Sequence, residues 1–231
     1  TFDTSTTGVP FGYARGELVD EQWVTEGVVI SGVTNLATHP DEVLVFDTAD
    51  PTGGDTDLVT PGYGPGNDQA RGQVLVLASD VTDADGDGLV DDPGDSEGGG
   101  TFTVEFLVCS TIESATVLDI DSAEPDCFFE AFDLDGNLLG TFPLAELGDN
   151  SIQTVDFGSL ELVRRLDLTL CSSGALVDCG QVLEPTVLRR CLLLEEAQQV
   201  GGRLHVGPEG RHVDTLGVFT HFLAESSVQR L

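Results

Sequence analysis

The segment Asp83-Ala84-Asp85-Gly86-Asp87-Gly88-Leu89-Val90-Asp91-Asp92 sets carboxylates at alternate positions around two glycines. A hard divalent cation needs this donor set. Alternate side chains converge on one point, glycine lets the backbone wrap, and negative charge offsets dehydration of the ion. The start matches the calcium-loop pattern D-x-D-x-D-G. Where that pattern closes with a bidentate Glu at its twelfth position, this chain has Gly94. Asp91, Asp92 or Asp95 therefore has to close the site. Asp83, Asp85, Asp87 and Asp91 are the expected calcium ligands. The competing reading is a solvated acidic loop, which so acidic a chain produces by composition alone.

A second group, Asp47, Asp50, Asp55 and Asp57, follows an apolar run and includes Gly53-Gly54. A loop leaving a sheet can fold such carboxylates and carbonyls back onto an ion, so a second cation is expected here. The alternative is a turn rich in Asp and Gly, which needs no ion. Nucleophile, P-loop and zinc-protease motifs are absent from the sequence. Acids are too abundant for any pair to indicate a glycosidase. Cys191 lies in a leucine run and reads as core rather than as half of a Cys–His dyad. No enzyme is expected. Aromatic platforms for sugars are scarce, with Trp23, Tyr13 and Tyr63 the only Trp and Tyr residues. Trp23 sits in a strand-like stretch and reads as packing.

The formal charge of the 231 residues is −32, and all nine basic residues are Arg. No basic patch exists to displace counterions from phosphates, so nucleic acid is not an expected partner. Direct binding to anionic lipid is not expected either. No apolar run is long enough for a bilayer-spanning helix. A start at Thr1 without any Met reads as a processed, exported chain, placed outside the cell or at its surface. High acid without Lys fits a salt-adapted surface and equally a codon bias toward Arg.

The five cysteines are Cys109, Cys127, Cys171, Cys179 and Cys191, with no C-x-x-C pair for zinc or thioredoxin-type chemistry. In an oxidising compartment the near neighbours Cys109–Cys127 and Cys171–Cys179 are expected to close small loops. Sequence alone does not fix the pairing, and buried thiols are the alternative.

Short strands must position these groups. Gly27–Thr34, Glu42–Thr48 and Gln73–Ala78 are apolar runs bounded by Gly, Pro and Asp. Thr101–Val108 alternates, with Phe102, Val104, Phe106 and Val108 expected on one face. Ala115–Asp121, Cys127–Asp133, Ile152–Phe157 and the alternation Leu166, Leu168, Leu170 add further strands, with a turn at Asp135-Gly136-Asn137. Many short strands without alternating helices predict an all-β antiparallel sandwich or barrel. The composition changes near residue 180. Residues 1–180 carry a net charge of −31 and residues 181–231 a net of −1. The expected organisation is an acidic β domain over 1–180, followed by an extension over 181–231. Glu184–Val200 reads as a helix, with Pro185 in its first turn and Gly201-Gly202 at its end. The extension is expected to pack on its own domain or on a neighbouring subunit.

Several segments occur in a telling order: Gly27-Val28-Val29-Ile30-Ser31, Phe46-Asp47-Thr48-Ala49-Asp50-Pro51-Thr52-Gly53-Gly54-Asp55-Thr56-Asp57-Leu58, Gly72-Gln73-Val74-Leu75-Val76-Leu77, Val117-Leu118-Asp119-Ile120-Asp121, Asp133-Leu134-Asp135-Gly136-Asn137 and Leu147-Gly148-Asp149-Asn150-Ser151. Over roughly residues 8–176 the chain resembles secreted bacterial jelly-roll domains, often found in exported proteins with cell-surface sorting tails. The loop at Asp83 resembles the short calcium loops of thrombospondin type 3 and dockerin repeats. The resemblance implies a jelly-roll-like β-sandwich, export and non-catalytic behaviour. The expected function is a calcium-stabilised structural or adhesive surface protein. Its expected partners are further copies of itself, in a filament or matrix, or other surface proteins. Alternatives are a carbohydrate-binding module of an exported protein, with a glycan as partner, and a hydrolase with an unrecognised site.

Overall fold

The structure, a computed structural model, describes residues 10, 12–19, 21–121, 126–171 and 174–182, except the side chains of 177–182. The expected helix at Glu184–Val200 and the extension beyond Val182 lie outside the described residues. The described residues all belong to the first of two compact units, Thr1–Glu196 and Ala197–Leu231.

Among the described residues, eight strands form one antiparallel sheet: β1 (Val28–Thr34), β2 (Val43–Asp47), β3 (Gln73–Leu77), β4 (Gly100–Leu118), β5 (Phe128–Phe132), β6 (Leu138–Pro143), β7 (Ile152–Leu170) and β8 (Ala175–Val182). The spatial order is β2-β3-β8-β4-β7-β5-β6, with β1 paired to β4. The all-β class read from the sequence is the one the chain adopts. Among the described residues the helical pieces are two 3₁₀ turns, Val24–Glu26 and Thr56–Leu58, and no helix is long and apolar enough to cross a membrane.

The strands at 101–108 and 115–121 expected as separate pieces are one element, as are those at 152–157 and 166–170. β4 and β7 pair from Gly100↔Leu170 to Leu118↔Ile152, with register shifts between Glu105 and Ser114. Straight, a strand of 19 residues would reach roughly 60 Å. Yet Leu170 lies opposite Gly100 while Ala175, five residues on, lies opposite Leu118. Five residues span at most about 18 Å. The long strands are therefore folded over at their irregular middle. Alternation changes phase there: Phe102, Val104 and Phe106 are buried, Val108 is only half-buried, and Cys109 to Ile112 are all buried. The extra residues of a bulge turn the strand in this way. Phe102, Val104 and Phe106 then share one core with Ile112, Ala115 and Val117.

A second core lies across β2, β3, β8 and the last part of β4. Val43, Val45, Leu75, Leu77 and Leu176 face the first core, whereas Leu44, Phe46, Val74, Val76 and Ala175 face the second. Burial on both faces explains why Val43–Phe46 and Val74–Leu77 are unbroken apolar runs. Leu58 and Val90 complete the second core from the loops, and Ile152 from the start of β7. Leu58 and Val90 anchor the two acidic loops, 48–72 and 79–99, on that face.

Candidate metal centre

Loop 79–99 is built by its own carboxylates. Asp83 Oδ1 accepts from Gly86 N at 2.7 Å and from Asp87 N at 3.2 Å, and its Oδ2 accepts from Gly88 N at 3.0 Å. Asp91 Oδ2 accepts from Ala84 N at 2.8 Å. Gly86 and Gly88 hold φ of 76° and 90°, which a side chain would strain. The result brings one oxygen each of Asp83, Asp85 and Asp91 within 4.8 Å of one another, all exposed. Val90, buried in the second core, pins the loop, and its N–H donates to Gly16 O at 2.9 Å.

Three of the four expected ligands therefore meet. Asp87 is not part of the group, and its Oδ1 accepts from Leu89 N at 2.9 Å. Of Asp91, Asp92 and Asp95, Asp91 is the one that lies in the group. Asp92 Oδ1 instead accepts from Gly53 N at 2.8 Å, tying the two acidic loops together. Asp95 is buried and its Oδ2 accepts from Gly174 N at 2.6 Å.

The second expected site, Asp47 with Asp50, Asp55 and Asp57, is corrected: the structure disperses these four. Asp47 Oδ1 caps its own turn through Ala49 N at 2.9 Å. Asp50 pairs with Arg15 at 2.6 Å. Asp55 Oδ2 accepts from Asp95 N at 2.8 Å, and burial pushes both carboxyls up.

Asp57 has different company. Its carboxylate meets those of Asp119 and Asp149 within 4.8 Å. Burial, then repulsion from Asp57, Asp121 and Asp149, pushes Asp119 up to about 7. Burial also raises Asp57. Asn150, fully buried, holds this place together. Its Nδ2 donates to Asp57 O and, at 2.9 Å, to Val59 O. Its Oδ1 accepts from Tyr63 N at 2.7 Å and Asn67 Nδ2 at 2.9 Å. Tyr63 Oη donates to Asp149 Oδ2 at 2.6 Å, which pushes the phenol up to about 12. Gly62 and Gly64 have no room for a Cβ beside Asn150. Sequence reasoning missed this cluster. The available signal was Pro61-Gly62-Tyr63-Gly64-Pro65-Gly66, where alternate glycines imply close backbone approach.

The expected disulfides are corrected as well. Cys127 and Cys171 carry thiols, so neither Cys109–Cys127 nor Cys171–Cys179 forms. Cys109 is disulfide-bonded, and neither Cys127 nor Cys171 is its partner. The sheet order explains the failure. β7 lies between β4, which carries Cys109, and β5, which Cys127 precedes. β4 in turn lies between β7 and β8, the strands next to Cys171 and around Cys179. Trp23, as expected, is packed, with Tyr13 edge-on at 5.0 Å between ring centroids.

No protein-family model matches this chain, and no curated protein sequence matches it.

Proposed function

We propose that this chain is a secreted, jelly-roll-like β-sandwich domain, stabilised by calcium, with a structural or adhesive role at the cell surface and no catalytic activity. The observation that carries the reading is the convergence of Asp83, Asp85 and Asp91 on a loop pinned by Val90 and by the Asp92–Gly53 contact. Two carboxylates about 4 Å apart repel by roughly 1 kcal/mol in bulk water and about 4 kcal/mol near a protein surface. A divalent cation turns that repulsion into attraction. Asp83, Asp85 and Asp91 would supply hard oxygen ligands, and water would complete the shell. The disulfide at Cys109 fits an oxidising compartment. Acidic bodies repel one another, so calcium would also favour self-association by screening.

The test is calorimetric titration of calcium into the chelator-treated full chain, with sedimentation velocity on the same samples. Saturable heat that disappears in Asp85→Asn supports the ion site. Absence of heat and of any melting shift rejects it. Binding without a change in sedimentation rejects calcium-driven assembly and leaves a stabilising ion.

One observation favours a second reading, a carbohydrate-binding module. Tyr63 is 70% exposed, and its ring is held by the bond to Asp149. A fixed, exposed ring suits stacking on a sugar face. A glycan array with the wild type and Tyr63→Ala decides it: signal lost in the variant supports the module, and no signal in either removes it.

A further inference from the structure

We propose that Cys127 and Cys171 are a disulfide-forming pair, a second cross-link site that joins the start of β5 to the end of β7. This inference is independent of the calcium reading. β5 and β7 pair with Phe128 opposite Thr169, which places Cys127 opposite Leu170 and Cys171 one residue beyond. Cys171 is thus the diagonal neighbour of Cys127 rather than the residue opposite it, and a contact between the two, not the register alone, brings them together. The Cys171 N–H donates to Cys127 Sγ at 3.1 Å. Cys171 Sγ is three bonds from that nitrogen, so rotation about its χ1 carries the sulfur over the same small region. Both side chains belong to the first core, with Cys171 packed at its margin.

The two thiols differ in access, and this orders the chemistry. Cys171 is half-buried, whereas Cys127 is 2% exposed. A disulfide-class oxidant, such as oxidised glutathione or an exported oxidoreductase, reaches Cys171 first. The Cys171 thiolate attacks one sulfur of that disulfide, and one oxidant thiolate leaves. The Cys127 thiolate then attacks Cys171 Sγ, the new S–S bond forms, and the second oxidant sulfur leaves. Two electrons pass to the oxidant, whose two thiolates take up the two protons given up by the protein. The N–H already aimed at Cys127 Sγ stabilises negative charge there during the second step. The product fastens β5, and through it the edge strand β6, to the long strand β7. Cys109 is already disulfide-bonded, and neither of these thiols is its partner.

The test uses the full chain equilibrated with excess oxidised glutathione, then denatured without reductant, alkylated, digested and mapped by mass spectrometry. The expected result is a linked peptide pair containing Cys127 and Cys171, with loss of both thiol hydrogens and the Cys109 bond unchanged. Alkylation of both residues, or a bond from either to Cys179 or Cys191, overturns the proposal. Order of attack is read from single variants. Cys127→Ser accumulates the glutathione mixed disulfide at Cys171, while Cys171→Ser leaves Cys127 unmodified in the folded protein. Equal modification of Cys127 in Cys171→Ser overturns the assigned order.

Discussion

The backbone N–H of Asn150 donates to Asp119 Oδ1 at 2.7 Å, and both residues hold left-handed φ, 57° and 66°. The contact sits where β4 has just ended and β7 is about to begin. Asn and Asp tolerate this backbone region better than most residues. One short side chain therefore joins the strand ends, and another reaches the loop at 57–67. Two long-range features, the strand ends and the glycine-rich loop, meet at the same buried residue.

Asn150→Ala should destabilise the fold by about 2–4 kcal/mol. It takes the side-chain partner from the Asp57 carbonyl and the Tyr63 N–H, removes one of the two donors to Val59 O, and puts Ala at positive φ. Asn150→Gly removes the same side chain but suits the backbone, so it should lose less. Urea unfolding of the two variants measures the difference. Equal losses would assign the whole effect to the hydrogen bonds.

Gly62→Ala should cost about 1–3 kcal/mol by overpacking. An added Cβ meets Asn150 Oδ1 and lies 2.6 Å from Asn67 Nδ2, both held by other bonds. The same unfolding assay reads it. Wild-type stability would mean that the 57–67 loop yields without loss.

Calcium should raise the melting point of the chelator-treated chain. A dissociation constant on the order of 0.1–1 mM is typical of extracellular sites, and a hundredfold excess adds about 2.7 kcal/mol. Asp85→Asn and Asp91→Asn should abolish most of the gain. Asp87→Asn should retain it, because Asp87 lies outside the converging group. Equal loss in all three would return Asp87 to the ligand set.

In chelator, stability should fall as pH rises from about 4 to about 7. The sign follows from Asp119, whose folded-state pKa is raised to about 7. A carboxyl that titrates higher folded than unfolded binds its proton more tightly in the folded state. Its stabilising contribution is complete below the unfolded pKa, near 4, and is lost as pH passes the folded value. The loss is on the order of 2 kcal/mol after solvent screening. Asp119→Asn should flatten this limb in a pH series of urea midpoints. An unchanged slope in the variant would place the pH dependence elsewhere, with the Asp55–Asp95 pair the next group to substitute.

Local pattern carried much of the fold. The alternation of Phe102, Val104 and Phe106 and the runs Val43–Phe46 and Val74–Leu77 made the strands legible, because side-chain direction in a strand repeats every second residue. The loop at Asp83–Asp91 was legible for a similar reason: its converging carboxylates lie within nine residues and two glycines set its turn. Tertiary structure alone decided which distant groups meet. Asp57 joins Asp119 and Asp149 because Asn150 ties a loop to the ends of two strands, with partners 91 and 93 positions apart in the chain. Cys127 contacts Cys171 rather than Cys109 because β7, not β4, is the neighbour of β5. Strand order is set by burying two apolar faces at once, a long-range balance that no residue spacing records.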